Sequence, residues 1–458
     1  MTARRAAYAF GVLLALSVAY DLWRMPLQVS DSLEEIVLVH RLDTVADAFA
    51  AGLDTPNYFR PLRIAQTKAI EVVSGGHYAD GFKAFHAFLV LAAFLLFVRA
   101  LDVRTTHDLA AAGFALLVFT GIHTFLGLVK EAYPINHFLE VAVLGLAALT
   151  LSQGKGGTAA DAAAAALVAA ACLTLESGVL VWVVLAAARA SGLRGVSRRG
   201  VGASTAVLAA YLVARFFLLR SDVGAMMTRE TGYLFGMITP LEAQERFGSV
   251  VWLYLYNVAS SVLSVLTAEP RRGIFVAARA VAEGDVPVRV WINLAAQLGA
   301  TALIVAAARD VRQRPLIPIF AAVLAANALV SFAYTKDEIV SVAGAFYALA
   351  AYAGARHAIA RAHELPRPRA LAVAAVLFVV SCAWGVRVFG VHHVLQSHAF
   401  RNRNAWAEVT MDWRARGIWP VDPESQRLIR DLRAEALSTP VVNPRFVPRW
   451  AERVFDVE

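Results

Sequence analysis

The chain has 458 residues, 59% apolar and 17% charged, with a formal net charge of +8. A soluble domain is nearer half apolar and a quarter charged. Here the apolar residues gather in runs of about 16–22 with few charges, enough to cross a hydrocarbon core about 30 Å thick. That excludes a soluble enzyme, a disordered chain and a disulfide scaffold, and indicates a polytopic membrane protein.

Only five lysines occur (Lys68, Lys83, Lys130, Lys155 and Lys336), so the positive charge is nearly all arginine. The arginines cluster in short connectors between apolar runs. That is the distribution of the positive-inside rule and not of a nucleic-acid surface, so no nucleic-acid partner is expected. Cys172 and Cys382 both lie inside apolar runs and read as small core residues.

In chain order, Arg4 and Arg5 precede an apolar run from Ala6 to about Tyr20. With no clear small-x-small cleavage site after it, this run reads as an uncleaved first span. Further runs lie at about 84–99, 109–129, 137–152, 159–175, 178–190, 201–219, 248–267, 288–308, 315–334, 338–356 and 369–390. The basic connectors Arg189–Arg199, Arg309–Arg314 and Arg356–Arg369 all fall on the inner side if the run 248–267 does not cross. That run, with Tyr254, Tyr256 and Asn257, then reads as a re-entrant or interfacial helix within an outer segment of residues 220–287. The expected fold is an all-α transmembrane bundle over residues 1–390. It has eleven spans, or twelve if 248–267 crosses. A small outer tail, 391–458, follows.

The first outer loop, residues 24–83, is too long for a plain connector. It opens with Ser30-Asp31-Ser32-Leu33-Glu34-Glu35. On a helix Asp31, Glu34 and Glu35 fall on one face, at i, i+3 and i+4. Ser30 is positioned to cap that helix, with acids in the first turns matching its dipole. Beside this structural reading stands a chemical one: a carboxylate at the membrane surface acting as general base on an acceptor hydroxyl.

The loop continues Tyr58-Phe59-Arg60-Pro61-Leu62-Arg63 and reaches Lys68. Arg60, Arg63 and Lys68 suit either a bound phosphate or anionic headgroups. His86 lies near the outer end of the second span. Lys130-Glu131 begins a short outer turn as a potential ion pair. Glu140 lies one turn into the fourth span. Glu176, within Leu175-Glu176-Ser177-Gly178, lies between the fifth and sixth spans, where a buried carboxylate demands a partner. Lys336, in Lys336-Asp337-Glu338, reads as a solvated turn or a further phosphate contact.

The order of these features over residues 1–190 resembles the GT-C superfamily of polytopic glycosyltransferases. It is closest to the protein O-mannosyltransferases and the tetratricopeptide-bearing transmembrane O-mannosyltransferases. The elements that carry the resemblance are Asp31 with Glu34 and Glu35, Tyr58-Phe59-Arg60-Pro61-Leu62, His86, and Leu175-Glu176-Ser177-Gly178. Leu175 stands where those families carry Lys, and Ser32 interrupts their adjacent Asp-Asp. No tetratricopeptide repeats follow the last span.

The resemblance implies a polyprenyl-phosphate sugar donor, a lipid, glycan or protein acceptor, and inverting transfer at the outer face. Asp31 is the implied base, with Glu34 and Glu35 beside it. Arg60, Arg63, Lys68 and Lys336 are the implied phosphate contacts, and His86, Glu131 and Glu176 the supporting residues. No cofactor is required by the motifs; a divalent metal is compatible with them. Two other readings stay open. One is a transporter or flippase for a lipid-linked or small solute, although no paired repeat is evident. The other is a non-catalytic membrane scaffold of the same fold.

In the tail, Asp422-Pro423-Glu424 starts a helix over 424–437, with Asp as N-cap and Pro at the first helical position. Trp406, Trp413, Trp419 and Trp450 offer apolar anchors. The tail is too small for a secure core of its own and is expected to pack on the outer loops or the membrane surface.

Overall fold

The computed structural model describes residues 2–53, 59–130, 137–218, 231–233, 236–267, 278–286, 288–308 and 315–443. Its regular structure is helical apart from one antiparallel hairpin, β1 (Thr231–Tyr233) and β2 (Gly236–Ile238). The first helix, α1 (Ala3–Trp23), is followed by the loop helices α2 (Ser30–His40), α3 (Val45–Leu53) and α4 (Pro61–Ser74). Then come α5 (Tyr78–Leu101), α6 (Thr106–Gly121), α7 (His123–Lys130), α8 (His137–Ser152), α9 (Thr158–Thr174), α10 (Val179–Ala190) and α11 (Arg198–Val213). After the hairpin lie α12 (Pro240–Phe247), α13 (Val250–Leu266), α14 (Val288–Ala308), α15 (Leu316–Val330), α16 (Ser341–Ala362), α17 (Arg367–Ala415) and α18 (Pro423–Ser438).

Among the described residues five helices are long and apolar enough to cross a membrane: α1, α5, α11 with its continuation to Phe217, α14 and α17. Two bent pairs raise the number to seven: α6 with α7, at 54°, and α12 with α13, at 76°. The runs at 137–152, 159–175 and 315–334 form shorter apolar helices. The run 109–129 is thus not one straight helix but breaks at Ile122. Arg387 braces the break by donating from Nε to the Gly121 carbonyl at 2.9 Å, where a helix C-terminus favours a cation.

The distribution of side chains is that of a lipid-facing bundle. On α13 the buried face carries Asn257, Ser260, Ser261 and Ser264 beside Leu253 and Val265, while Val251, Trp252, Leu255 and Leu263 point outward. Asn257 Nδ2 donates to the Phe332 carbonyl at 2.9 Å, and Ser261 and Thr335 share a hydroxyl hydrogen bond at 2.7 Å. Polar inside and apolar outside reverses the pattern of a soluble surface helix, and suits a hydrocarbon solvent. α14 likewise turns large apolar side chains outward, exposing Trp291, Leu298 and Val305 seven residues apart, over a buried face of small and aliphatic residues with Gln297. α16 is buried on every side from Ser341 to Ala355 and forms the centre of the bundle. Its Gly354 allows a close backbone approach, since a Cβ there would lie 2.7 Å from the Leu303 carbonyl carbon of α14.

α17 runs without interruption through residue 390, where the sequence reading divides bundle from tail. Its 49 residues span about 74 Å at 1.5 Å per residue. The N-terminal half lies in the bundle, and the C-terminal half leaves it to build a second core. There Trp406, Val409 and Trp413 meet Leu27, Leu33 and Ile36 of the first loop, Phe82 of α5, and Leu428, Ile429 and Leu432 of α18. Trp406 Nε1 donates to the Leu27 carbonyl at 2.6 Å. The tail therefore packs on the first loop, as expected from its small size. α18 starts at Pro423 with Asp422 as N-cap. Trp450 lies outside the described residues.

Two outcomes follow for the tail. Trp406→Ala is expected to cost about 3–5 kcal/mol of docking. Amide exchange in α18 should accelerate while α16 stays protected; unchanged α18 protection would contradict the second core. The Ser425 backbone N–H, donated at 2.7 Å, and Arg41, at 2.6 Å, hold the Asp422 carboxyl down at about 2. A depressed acid stabilises the fold above its unfolded value near 4 and loses that contribution as pH falls through about 2. Protection at the start of α18 should thus hold from neutral pH down to about 4 and weaken as pH approaches 2, a trend that Asp422→Asn should remove.

Candidate functional site

α4 is the loop helix that joins the first loop to the bundle, and three ionic groups are arranged along it. Its start is set by Pro61 at the first helical position and its end by Gly75, at φ 59°, a left-handed conformation that glycine adopts without strain.

The first group lies where the chain enters α4. Arg60 donates from Nε to Glu176 Oε2 at 3.0 Å and from Nη2 to the same oxygen at 2.7 Å. Arg215 approaches the other oxygen of Glu176 at 3.3 Å and also donates to the Tyr211 hydroxyl at 2.8 Å. Two guanidiniums, one from the loop and one from the end of α11, thus converge on a carboxylate in the turn between α9 and α10. Burial pushes the Glu176 pKa up, but Arg60 and then Arg215 outweigh it and hold the carboxyl below its ordinary range.

The second group is buried. Arg63 Nε donates to Glu35 Oε2 at 2.6 Å, its Nη2 pairs with the same oxygen, and Thr67 Oγ1 donates to Oε1 at 2.6 Å. His137, at the start of α8, places Nε2 3.9 Å from Glu35 Oε1 and Nδ1 3.3 Å from Glu140 Oε2. Gln66 adds a side-chain hydrogen bond to Glu140. Two carboxylates, an imidazole and a guanidinium therefore meet where α2 and α4 press on the bundle.

The third group faces the tail. Lys68 Nζ lies 3.0 Å from Glu71 Oε2, and Glu71 Oε1 accepts from the Tyr78 hydroxyl at 2.9 Å. His40 Nδ1 lies 3.0 Å from the same oxygen, and its Nε2 is 3.6 Å from Glu424 of α18.

These contacts revise several expectations. The three acids of α2 do not share one environment. Asp31 and Glu34 are exposed and Glu35 is buried, because the 100° arc they cover straddles the edge of the packed face. Glu34 is tied at 3.2 Å to Arg416, the residue that caps the end of α17. Among the described residues Asp31 has no hydrogen bond or ion pair. The N-cap of α2 is Val29 and not Ser30, since the helix begins one residue earlier than the cap reading requires.

Arg60, Arg63 and Lys68, read as phosphate contacts, each pair with a carboxylate of the protein. Lys336 Nζ lies 3.8 Å from Glu338 Oε1 and 5.0 Å from the Tyr334 ring centre, contacts within its own turn. His86 is buried in α5, and its Nε2 has no hydrogen-bond partner among the described residues. Glu131 and Tyr58 lie outside the described residues. No group of three His, Cys, Asp or Glu among the described residues is arranged to hold a metal ion.

Sequence reading missed Arg215, His40 and Glu71, and assigned no role to Thr67. Arg215 had a signal: a charge within the apolar run 201–219. The others are ordinary polar residues of a polar loop, distinguished only by where the loop folds.

Removing one member of a buried pair strands the other. Arg63→Ala is expected to destabilise the protein by about 3–5 kcal/mol, and Arg63→Leu combined with Glu35→Leu by clearly less. Unfolding of both variants in the same detergent checks this; additive losses would show that the two side chains do not act as a pair. No family model, curated protein or solved structure matches the chain.

Proposed function

We propose that the chain is an integral membrane glycosyltransferase of GT-C type, with eleven spans and its site on the extracytoplasmic face of a bacterial inner membrane. It transfers a sugar, with inversion, from a polyprenyl-phosphate donor to an acceptor hydroxyl on a lipid, glycan or protein. One observation carries this reading. The exposed and unpartnered Asp31 stands on α2, the helix packed against α4, and α4 brings Arg60, Arg63 and Lys68 to the rim of the bundle. A lipid-borne donor requires a site at the membrane surface, and a phosphate leaving group requires cations.

In the proposed step the acceptor oxygen attacks the anomeric carbon while Asp31 takes the hydroxyl proton. The bond from the anomeric carbon to the phosphate oxygen breaks, and its electron pair leaves on the lipid phosphate. Arg60 and Arg215 stabilise that growing charge by shifting part of their hydrogen bonding from Glu176 to the phosphate. Of the three acids of α2, Asp31 suits the base because Glu34 is tied to Arg416 and Glu35 is held by Arg63 and Thr67. Lys336 is left as a contact for the far side of the donor. A second reading, a non-catalytic scaffold, draws on the pairing of all three α4 cations with carboxylates.

Purified protein given radiolabelled polyprenyl-phosphate sugar and an acceptor lysate should transfer label. Asp31→Ala should lower the rate at least about 100-fold with unchanged unfolding temperature. Transfer at the full rate in that variant would remove Asp31 from the mechanism, and no transfer by the parent protein with any donor would favour the scaffold. For orientation, Arg430→Cys in a Cys382→Ser background should label from outside the cell with an impermeant reagent; labelling from the cytoplasmic side alone would refute the eleven-span topology.

A further inference from the structure

The end of the bundle opposite α4 holds a cavity of about 640 Å³. It lies where α5, α8, α15 and α16 end or begin, and its polar walls include Arg99, Thr150, Gln153, Tyr352, Arg356 and His357. Asp102 and Arg104 also line it and are paired with each other at 2.5 Å, so Arg99 and Arg356 set its charge. A second cavity of about 640 Å³ shares Arg99 and Thr150 with it. Otherwise that second space is lined by Ala147, Leu151, Ala163, Ala166, Leu167 and Ala170 of α8 and α9. One space is polar and cationic, the next is apolar, and they meet at Arg99.

The polar space contains groups whose bonding capacity is not used. Tyr352 is 2% exposed, yet its hydroxyl has no hydrogen-bond partner among the described residues. A buried hydroxyl without a partner carries a free-energy cost that a ligand oxygen would remove. Arg99 has neither an ion pair nor a hydrogen bond among the described residues. Arg356 is oriented by Asp108, with Nε 2.7 Å from Oδ1, which turns its guanidinium over the cavity wall. Gln153 is fixed by its bond to the Ala100 carbonyl at 2.9 Å.

We propose that this paired cavity binds an anionic phospholipid. The phosphate sits among Arg99, Arg356 and the Tyr352 hydroxyl, and one acyl chain lies in the alanine-lined groove between α8 and α9. Charge complementarity selects the headgroup. The apolar groove, continuous with the cationic space at Arg99, selects a lipid over a free phosphate. The bundle end concerned is the one with the arginine-rich connectors, where anionic headgroups and basic pockets between helices meet. The site does not depend on the transfer reaction proposed above, because it lies at the other end of α5.

The test uses the full chain in a mild detergent, with bound lipid counted by native mass spectrometry. Phosphatidylglycerol should bind at about tenfold lower concentration than phosphatidylcholine with the same chains. Arg99→Ala and Tyr352→Phe should each raise that concentration at least about fivefold, the effect of one hydrogen bond. Arg99 is exposed, and Tyr352→Phe keeps the ring while removing an unpaired buried hydroxyl, so neither variant should unfold below the parent temperature. Millimolar glycerol phosphate should leave the lipid bound. Equal binding of the two lipids, or parent-like binding by both variants, would overturn the proposal. Displacement by glycerol phosphate would overturn it as well, by assigning the cavity to a soluble phosphate.

Discussion

A cation where a loop helix meets an apolar bundle needs a carboxylate beside it, and α4 with its N-cap carries three. Arg60 reaches Glu176 in the turn between α9 and α10, Arg63 reaches Glu35 on α2, and Lys68 pairs with Glu71 within α4 itself. The rest of the loop follows from these pairs. The first holds α4 to the bundle, the second draws α2 against it, and the third orients Tyr78 and His40 toward the tail. Desolvation makes such pairs poor sources of net stability, but it makes any other arrangement worse, so they select one geometry of the loop.

The tail is held by the complementary means. Its core is apolar: Trp406 and Trp413 pack with Leu33 and Ile36, and ion pairs such as Arg41 with Asp422 and Arg416 with Glu34 lie at the edges. α2 is thus gripped on one side by charge and on the other by apolar packing. Asp31, at its first turn, belongs to neither side, which is why it alone of the three acids stays exposed and unpartnered.

Much of this order was legible in the sequence. The apolar runs, the N-cap at Asp422 and the docking of the tail all follow from local rules of spacing, capping and size. What local rules leave open is partner choice. The sequence places Arg60, Arg63 and Lys68 within nine residues of one another, yet it does not say whether they face a ligand or a carboxylate 116 positions away, as Arg60 does. The continuous α17 was hidden for a related reason. Hydropathy falls near residue 390, but a change in hydropathy does not break a helix, and α17 runs on from Arg367 to Ala415.

The turn that carries Glu176 can be read in the same terms. Leu175 beside it is 3% exposed and packed in the main core, and so offers no charge. The positive charge beside Glu176 comes instead from Arg215, one helix later, with Arg60 opposite. A carboxylate in that turn requires cationic neighbours whichever element supplies them. Both neighbours are guanidiniums, planar donors able to form two parallel bonds where an ammonium would offer a point charge. The partners of Glu176 therefore come from two elements distant in sequence, and they are visible only where α11 meets the loop.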